Sequence, residues 1–95
     1  MAIVLKAQVH SADQAAHDRV QEAVNAGIGR MGGPPDGLMV HLGHPAGDGF
    51  VIIDVWRSEE LARSFWTDVI EPAITGAGLT AGEPEVVPAW SIARP

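Results

Sequence analysis

The chain has no cysteine, which excludes disulfide staples, thiolate metal sites and cysteine nucleophiles. Basic residues are scarce: six Lys and Arg stand against twelve Asp and Glu, for a net charge of −6. Those six are scattered singly, and a nucleic-acid or anionic-membrane partner needs a basic patch to replace counterions. Neither partner is expected. Long apolar runs are missing too, and none approaches the roughly 20 residues of a membrane span. The opening MAIVLKAQVH lacks the basic start and long apolar stretch of a secretory leader, so a cytoplasmic protein is the expectation. Also absent are the G-x-S-x-G, Walker, G-x-G-x-x-G and H-E-x-x-H signatures. The glycines of GIGRMGG (Gly27 to Gly33) follow a helical pattern rather than a strand, the wrong context for a phosphate loop.

What remains is 95 residues, 46% of them hydrophobic, enough for a single domain over 1–95 with a small core. Ile3, Leu5, Ala7 and Val9 alternate with Val4, Lys6, Gln8 and His10, the period of a half-buried strand. Ser11 to Gln14 reads S-x-x-Q, a capping box, and opens a helix whose apolar stripe is Ala16, Val20, Ala23, Val24 and Gly27. Gly32, Gly33, Pro34 and Pro35 end it. Leu38 to Gly43 alternates as a second strand. The turn-rich HPAGDG (His44 to Gly49) leads into a third, Phe50 to Trp56, completing a hairpin. Ser58 caps a second helix with Glu59 and Glu60 in its first turn, and its buried positions are Leu61, Phe65, Val69 and Trp66. Pro72 bends or restarts that helix, Gly76 and Gly78 end it, and Val86 to Ile92 supplies a last strand with Pro88 marking an edge. The order β-α-β-β-α-β is the ferredoxin-like α+β arrangement: a four-stranded antiparallel sheet, order 4-1-3-2, with two helices on one face.

One residue stands out in that layout. Asp54 interrupts an otherwise apolar strand, VIIDVW. Leu38, Val40 and Leu42, paired with Val55, Ile53 and Val51, look like the seat of the helices. The other face then carries Met39, His41, Phe50, Ile52, Asp54 and Trp56, joined by Lys6, Gln8 and His10. Such a face is too apolar for water and too polar for a dry core, so a second copy of the sheet is expected to cover it in a homodimer. On it, His41 and Asp54 are candidate acid–base residues, with His41 diagonally across the hairpin from Asp54. Met39, Trp56 and Gln8 line a candidate substrate site, and Trp66 on the second helix is a candidate pocket wall. The plainer reading of the same residues is a Lys6–Asp54 salt bridge with His41 as a hydrogen-bonded structural residue. His17 and His44 read as helix-surface and loop residues. No pair among His10, His41, His44 and Asp54 has helical ligand spacing, and no metal is expected.

The stretch GLMVHLGHPAGDGFVIIDVWRSEELARSFWTDVIEPAITGAGL (Gly37 to Leu79) resembles the antibiotic-biosynthesis-monooxygenase-like branch of the dimeric α+β barrel superfamily, and among it short actinobacterial proteins. GLMVH, the DVWRSEE junction and the pair Phe65 and Trp66 carry the resemblance. It implies a ferredoxin-like protomer that dimerises, and a small cofactor-independent enzyme, monooxygenase-like or polyketide-cyclase-like, acting on an apolar aromatic or polyketide-type metabolite. A noncatalytic small-ligand-binding or structural homodimer is the alternative. Haem-degrading members carry a His late in the second helix, and EPAITGAG (Glu71 to Gly78) has none. Monooxygenase members set an Asn four residues before the helix Trp, where this chain has Ala62.

Overall fold

The computed structural model describes residues 1–92. The expected elements form in the expected order: β1 (Ile3–Val9), α1 (Gln14–Arg30), β2 (Leu38–Ala46), β3 (Gly49–Trp56), α2 (Glu59–Phe65), a π-helical segment (Trp66–Ile70), α3 (Glu71–Gly76) and β4 (Glu85–Pro88). The strands make one antiparallel sheet in the order β2-β3-β1-β4, which is the ferredoxin-like topology. A last strand reaching Ile92 was expected; β4 stops at Pro88 and lies at the edge, where a missing N–H is tolerated. The remainder of the expected 1–95 domain, residues 93–95, lies outside the described residues.

Local chemistry explains most boundaries. Asp13, not Ser11, caps α1: its carboxylate accepts from Ala16 N at 2.9 Å, while Ser11 sits at φ 53° before the helix. Ser58 caps α2 as its position suggests, accepting from Leu61 N at 3.2 Å. Leu61 itself is exposed, and the buried stripe runs through Ala62, Phe65, Trp66, Val69, Ile70, Ala73 and Ile74. The π segment precedes Pro72, whose ring would collide with the carbonyl four residues back in a regular helix. The widened turn moves that ladder, and Glu71 N–H reaches Trp66 O instead.

The hairpin corrects the expected faces. Its turn is short, with strand pairing running out to Ala46 and Gly49, and its register places Val40 opposite Val55, Leu42 opposite Ile53 and His44 opposite Val51. A bulge between Leu38 and Val40 explains the inversion. Leu38 pairs with Trp56 and packs on the core, but the extra residue reverses the parity beyond it. Val40 and Leu42 therefore point to the open face with Val51, Ile53 and Val55. The helices sit on Ile3, Leu5, Ala7 and Val9 of β1 and on Phe50, Ile52, Asp54 and Trp56 of β3, all buried. The bulkier aromatic set went inward, where its area is best removed from water.

Gly49 is required by close packing, since a Cβ there would collide with the Val9 carbonyl oxygen. Gly29 in α1 has open space around it. Gly49→Ala is expected to destabilise by at least about 1–3 kcal/mol through forced overpacking. Gly29→Ala should stabilise by about 0.4–1 kcal/mol through the unfolded chain. Urea unfolding of the two variants checks both signs.

Candidate functional site

β3 delivers Asp54 to the helix-facing side of the sheet, where it is 2% exposed, the one buried charged residue among those described. β2 sets His41 directly opposite it, not diagonally. Side chains of facing residues start about 5 Å apart at Cβ, and the imidazole closes the gap. His41 Nδ1 lies 2.6 Å from Asp54 Oδ1. The other carboxylate oxygen accepts from Trp56 Nε1 at 3.2 Å, two residues along the same strand face. Both oxygens thus have a donor, which is what keeps a buried carboxylate tolerable.

Lys6 is not that partner. It pairs across β1 and β3 with Ile53, while Leu5 lies opposite Asp54, so Lys6 is exposed on the far side of the sheet. Gln8 is on that far side too, its amide donating to Ala46 O at 3.0 Å and Val9 O at 3.2 Å. His10 is exposed beside Asp48 at 3.2 Å, and this hydrogen bond holds the Asp48 carboxyl below its usual value. Gln8 and His10 therefore leave the group expected around Asp54. Met39 is half-buried within the bulge, and Trp66 is buried at the start of the π segment in the same core as Trp56. The structure brings together His41, Asp54 and Trp56.

It also adds a residue that no sequence pattern marked. Gln21, half-buried on α1, places Oε1 3.0 Å from His41 Nε2, and its Nε2 donates to Asn25 Oδ1 at 2.9 Å. Both ring nitrogens of His41 are therefore engaged within the chain. A doubly protonated ring donates to Asp54 and Gln21 together. A neutral ring donates only to Asp54 and accepts from the Gln21 amide once that amide turns over. The chain of contacts runs from the buried Trp56 indole through Asp54, His41 and Gln21 to Asn25 on the outside of α1.

Two cavities of about 360 Å³ open beside the sheet, one of them with Trp56 in its lining. Both fall in the range of small-molecule sites. One lies between the start of α1 and the β2–β3 hairpin, bounded by Asp13, His17, Gly43, His44, Pro45 and Phe50. His17, expected on the helix surface, stands edge-on to Phe50 at 4.9 Å, and the absence of a Cβ at Gly43 makes room for its ring. The other cavity lies beneath the Met31–Asp36 connection with Trp56, Phe65 and Val69 in its lining. Trp56 and Phe65 stack at a tilt with centroids 5.3 Å apart. Among the described residues no group of three His, Asp or Glu is gathered to hold a metal ion, and no helix is long and apolar enough to cross a membrane.

No protein-family model matches the chain, and no curated protein does either. Solved structures do. SnoaB, a cofactor-independent oxygenase from Streptomyces nogalater, superposes with a TM-score of 0.60 at 23% identity, covering 96% of this chain and 93% of its own. An asparagine-to-alanine variant of SnoaB gives 0.59 at 21% identity over the same shares. Rv0793 from Mycobacterium tuberculosis gives 0.56 at 13% identity, covering 99% of this chain and 100% of its own. At these identities the likeness carries the ferredoxin-like fold over nearly the whole chain.

Removing the Asp54 carboxylate strands the Trp56 N–H and the His41 ring together. Asp54→Ala is expected to cost about 3–5 kcal/mol, the usual penalty for breaking a buried pair from one side. Lys6→Ala should stay within about 0.5 kcal/mol of wild type, as surface changes do. Equal losses at the two positions in urea melts would restore the Lys6–Asp54 pairing.

Proposed function

We propose that the protein is a small cofactor-independent, monooxygenase-like enzyme of the antibiotic-biosynthesis-monooxygenase-like family, acting on an apolar aromatic or polyketide-type metabolite. The observation that carries this reading is the 2.6 Å contact that fixes His41 on a buried carboxylate with no Lys or Arg partner among the described residues. Asp54 holds Nδ1–H, orients the ring and leaves Nε2 as the basic nitrogen, the relation by which a carboxylate sets a histidine tautomer. The likeness of fold to a cofactor-independent oxygenase supports it.

The chemistry asks little more of the protein than a base and a dry, flat pocket. His41 Nε2 takes a proton from an activated CH₂ or phenol, as in an anthrone, and the resulting carbanion is electron-rich enough to reduce O₂ itself. The carbon–oxygen bond forms, the proton returns to the peroxide oxygen, and loss of water leaves a ketone. One O₂ supplies the ketone oxygen and the oxygen of the water, so no external reductant enters.

A noncatalytic reading has its own support, because both His41 nitrogens already have partners inside the chain. The two separate on kinetics. Tryptophan fluorescence in a screen of anthrones and quinols finds a ligand, and oxygen uptake then follows turnover. His41→Gln and Asp54→Asn should each slow uptake by about 10²–10⁴, the usual share of a general base. Their combination should be non-additive, with coupling of about 0.5–3 kcal/mol. Additive losses, or uptake indifferent to both, would leave only the structural network.

The open face of the sheet supports a homodimer. Val40, Leu42 and Val87 are exposed there beside half-buried Val51, Ile53 and Val55. Such an apolar patch is best covered, and a second sheet burying about 1,600 Å² would be a standard interface. Light scattering at micromolar concentration should give twice the 10.0 kDa chain mass. Leu42→Glu, with a charge at that face, should give the monomer; a wild-type monomer would sink the dimer.

A further inference from the structure

His41 cannot take a proton at Nε2 while that nitrogen is held by Gln21, 3.0 Å away. Any substrate must therefore displace the Gln21 amide, and the surroundings show from which side. His17 lies one helical turn before Gln21 on the same flank of α1, where residues four apart are about 5–6 Å apart at Cβ. Gly43 lies two residues beyond His41 on the same face of β2, about 7 Å along the strand. His17 and Gly43 both border the cavity of about 360 Å³ floored by Phe50. The lining ends at His17 and Gly43, one helical turn short of Gln21 and two strand residues short of His41, so the Gln21–His41 contact is the next one beyond that border.

We propose that this cavity is the substrate site and that Gln21 is its gate: a flat, apolar aromatic ligand enters between His17, Gly43 and Phe50 and replaces the Gln21 amide on His41 Nε2. The proposal rests on the reading of His41 as the base. The cavity suits such a ligand. Phe50 offers a buried aromatic wall, Pro45 and Ala12 add apolar surface, and His17 and His44 place polar atoms at its border for a phenol or ketone oxygen. The released amide has a place to go, because Gln21 already bonds Asn25 at the exposed side of α1. Gln21 is thus a positioning residue. It satisfies the imidazole when the site is empty and yields it when a ligand supplies the same kind of hydrogen-bonding atom.

Diethyl pyrocarbonate, which acylates an unprotonated imidazole nitrogen, reads the gate without needing turnover. Wild type, Gln21→Ala and Gln21→Glu are treated, and His41 acylation is followed by peptide mass spectrometry against exposed His10 and His44 in the same chain. Gln21→Ala should raise the His41 to His10 rate ratio about fivefold, the factor that a typical net hydrogen bond represents. Gln21→Glu should lower it, since a carboxylate grips the ring N–H more firmly than an amide does. An unchanged ratio in Gln21→Ala overturns the gate. A rise in both variants overturns it as well, because that reports a loosened α1 and no specific hold on Nε2.

The second arm tests the cavity with an anthrone as the probe. Saturating anthrone should protect His41 from acylation in wild type. Gly43→Ala sets a carbon 2.8 Å from His17 Nε2, so that ring must shift at the border of the cavity, and should weaken the protection severalfold relative to each protein's own rate without anthrone. No protection in wild type, or full protection in Gly43→Ala, removes the cavity from the proposal. Failure of the base reading looks different: His41→Gln would retain oxygen uptake while the acylation ratios behaved as expected.

Discussion

A carboxylate buried on the helix-facing side of a sheet is tolerable only if both of its oxygens find donors, and the layout around Asp54 follows from that need. One donor must come from the same strand face, and Trp56, two residues on, supplies it. The other must come from the neighbouring strand at the same level, and His41 supplies it. That second donor depends on the bulge in β2. In an unbroken strand with Leu38 turned inward, Val40 and Leu42 would also turn inward and His41 would face out. The extra residue lets Leu38 pack on the core and still brings His41 round to Asp54. One irregularity in an edge strand therefore decides whether the buried charge is satisfied.

The second helix meets a similar conflict with a similar device. Phe65 and Trp66 are adjacent, and a regular helix would point them about 100° apart, so both stay buried only under a wide apolar face. Pro72 adds a second difficulty by removing an N–H and crowding the turn before it. The π segment starting at Trp66 answers both. It relocates the carbonyls ahead of Pro72 and carries a buried stripe from Ala62 through Ile74 that includes both aromatics. Val69 on the segment then comes against Gly27 of α1, where an added Cβ would lie only 2.9 Å away. Close crossing of the two helices keeps α1 over the hairpin, and with it Gln21 over His41.

Element order, strand order and the Ser58 cap were legible because each rests on local periodicity or local hydrogen bonding. Asp54 was legible as an anomaly for the same reason, being a charge inside an apolar run. The sheet faces were not. Val51, Ile53 and Val55 are as apolar as Phe50, Ile52 and Trp56, so alternation alone leaves the inward set open, and Leu38, Val40 and Leu42 suggest one face only if no bulge lies among them. Lys6 and Gln8 were grouped with Asp54 through that inverted parity. Gln21 was invisible for another reason. A polar residue on the flank of an amphipathic helix carries no mark in sequence, and only the crossing of α1 over β2 brings it to an imidazole twenty residues away in the chain.

The inverted parity also changes how assembly and chemistry relate. With Asp54 and His41 on the same face as exposed apolar side chains, a second sheet would have to cover the site, and dimerisation and activity would stand or fall together. The buried polar group and the exposed apolar side chains are instead on opposite sides of the sheet. Val40, Leu42 and Val87 look outward, while Trp56, Asp54, His41 and Gln21 make a polar path between sheet and helices that ends at Asn25. A partner sheet over the open face would touch none of those groups, and a ligand reaching His41 would cross none of that interface. The sheet backbone is the one element common to both, and β2 is its edge strand, carrying Leu42 outward and His41 inward at consecutive positions.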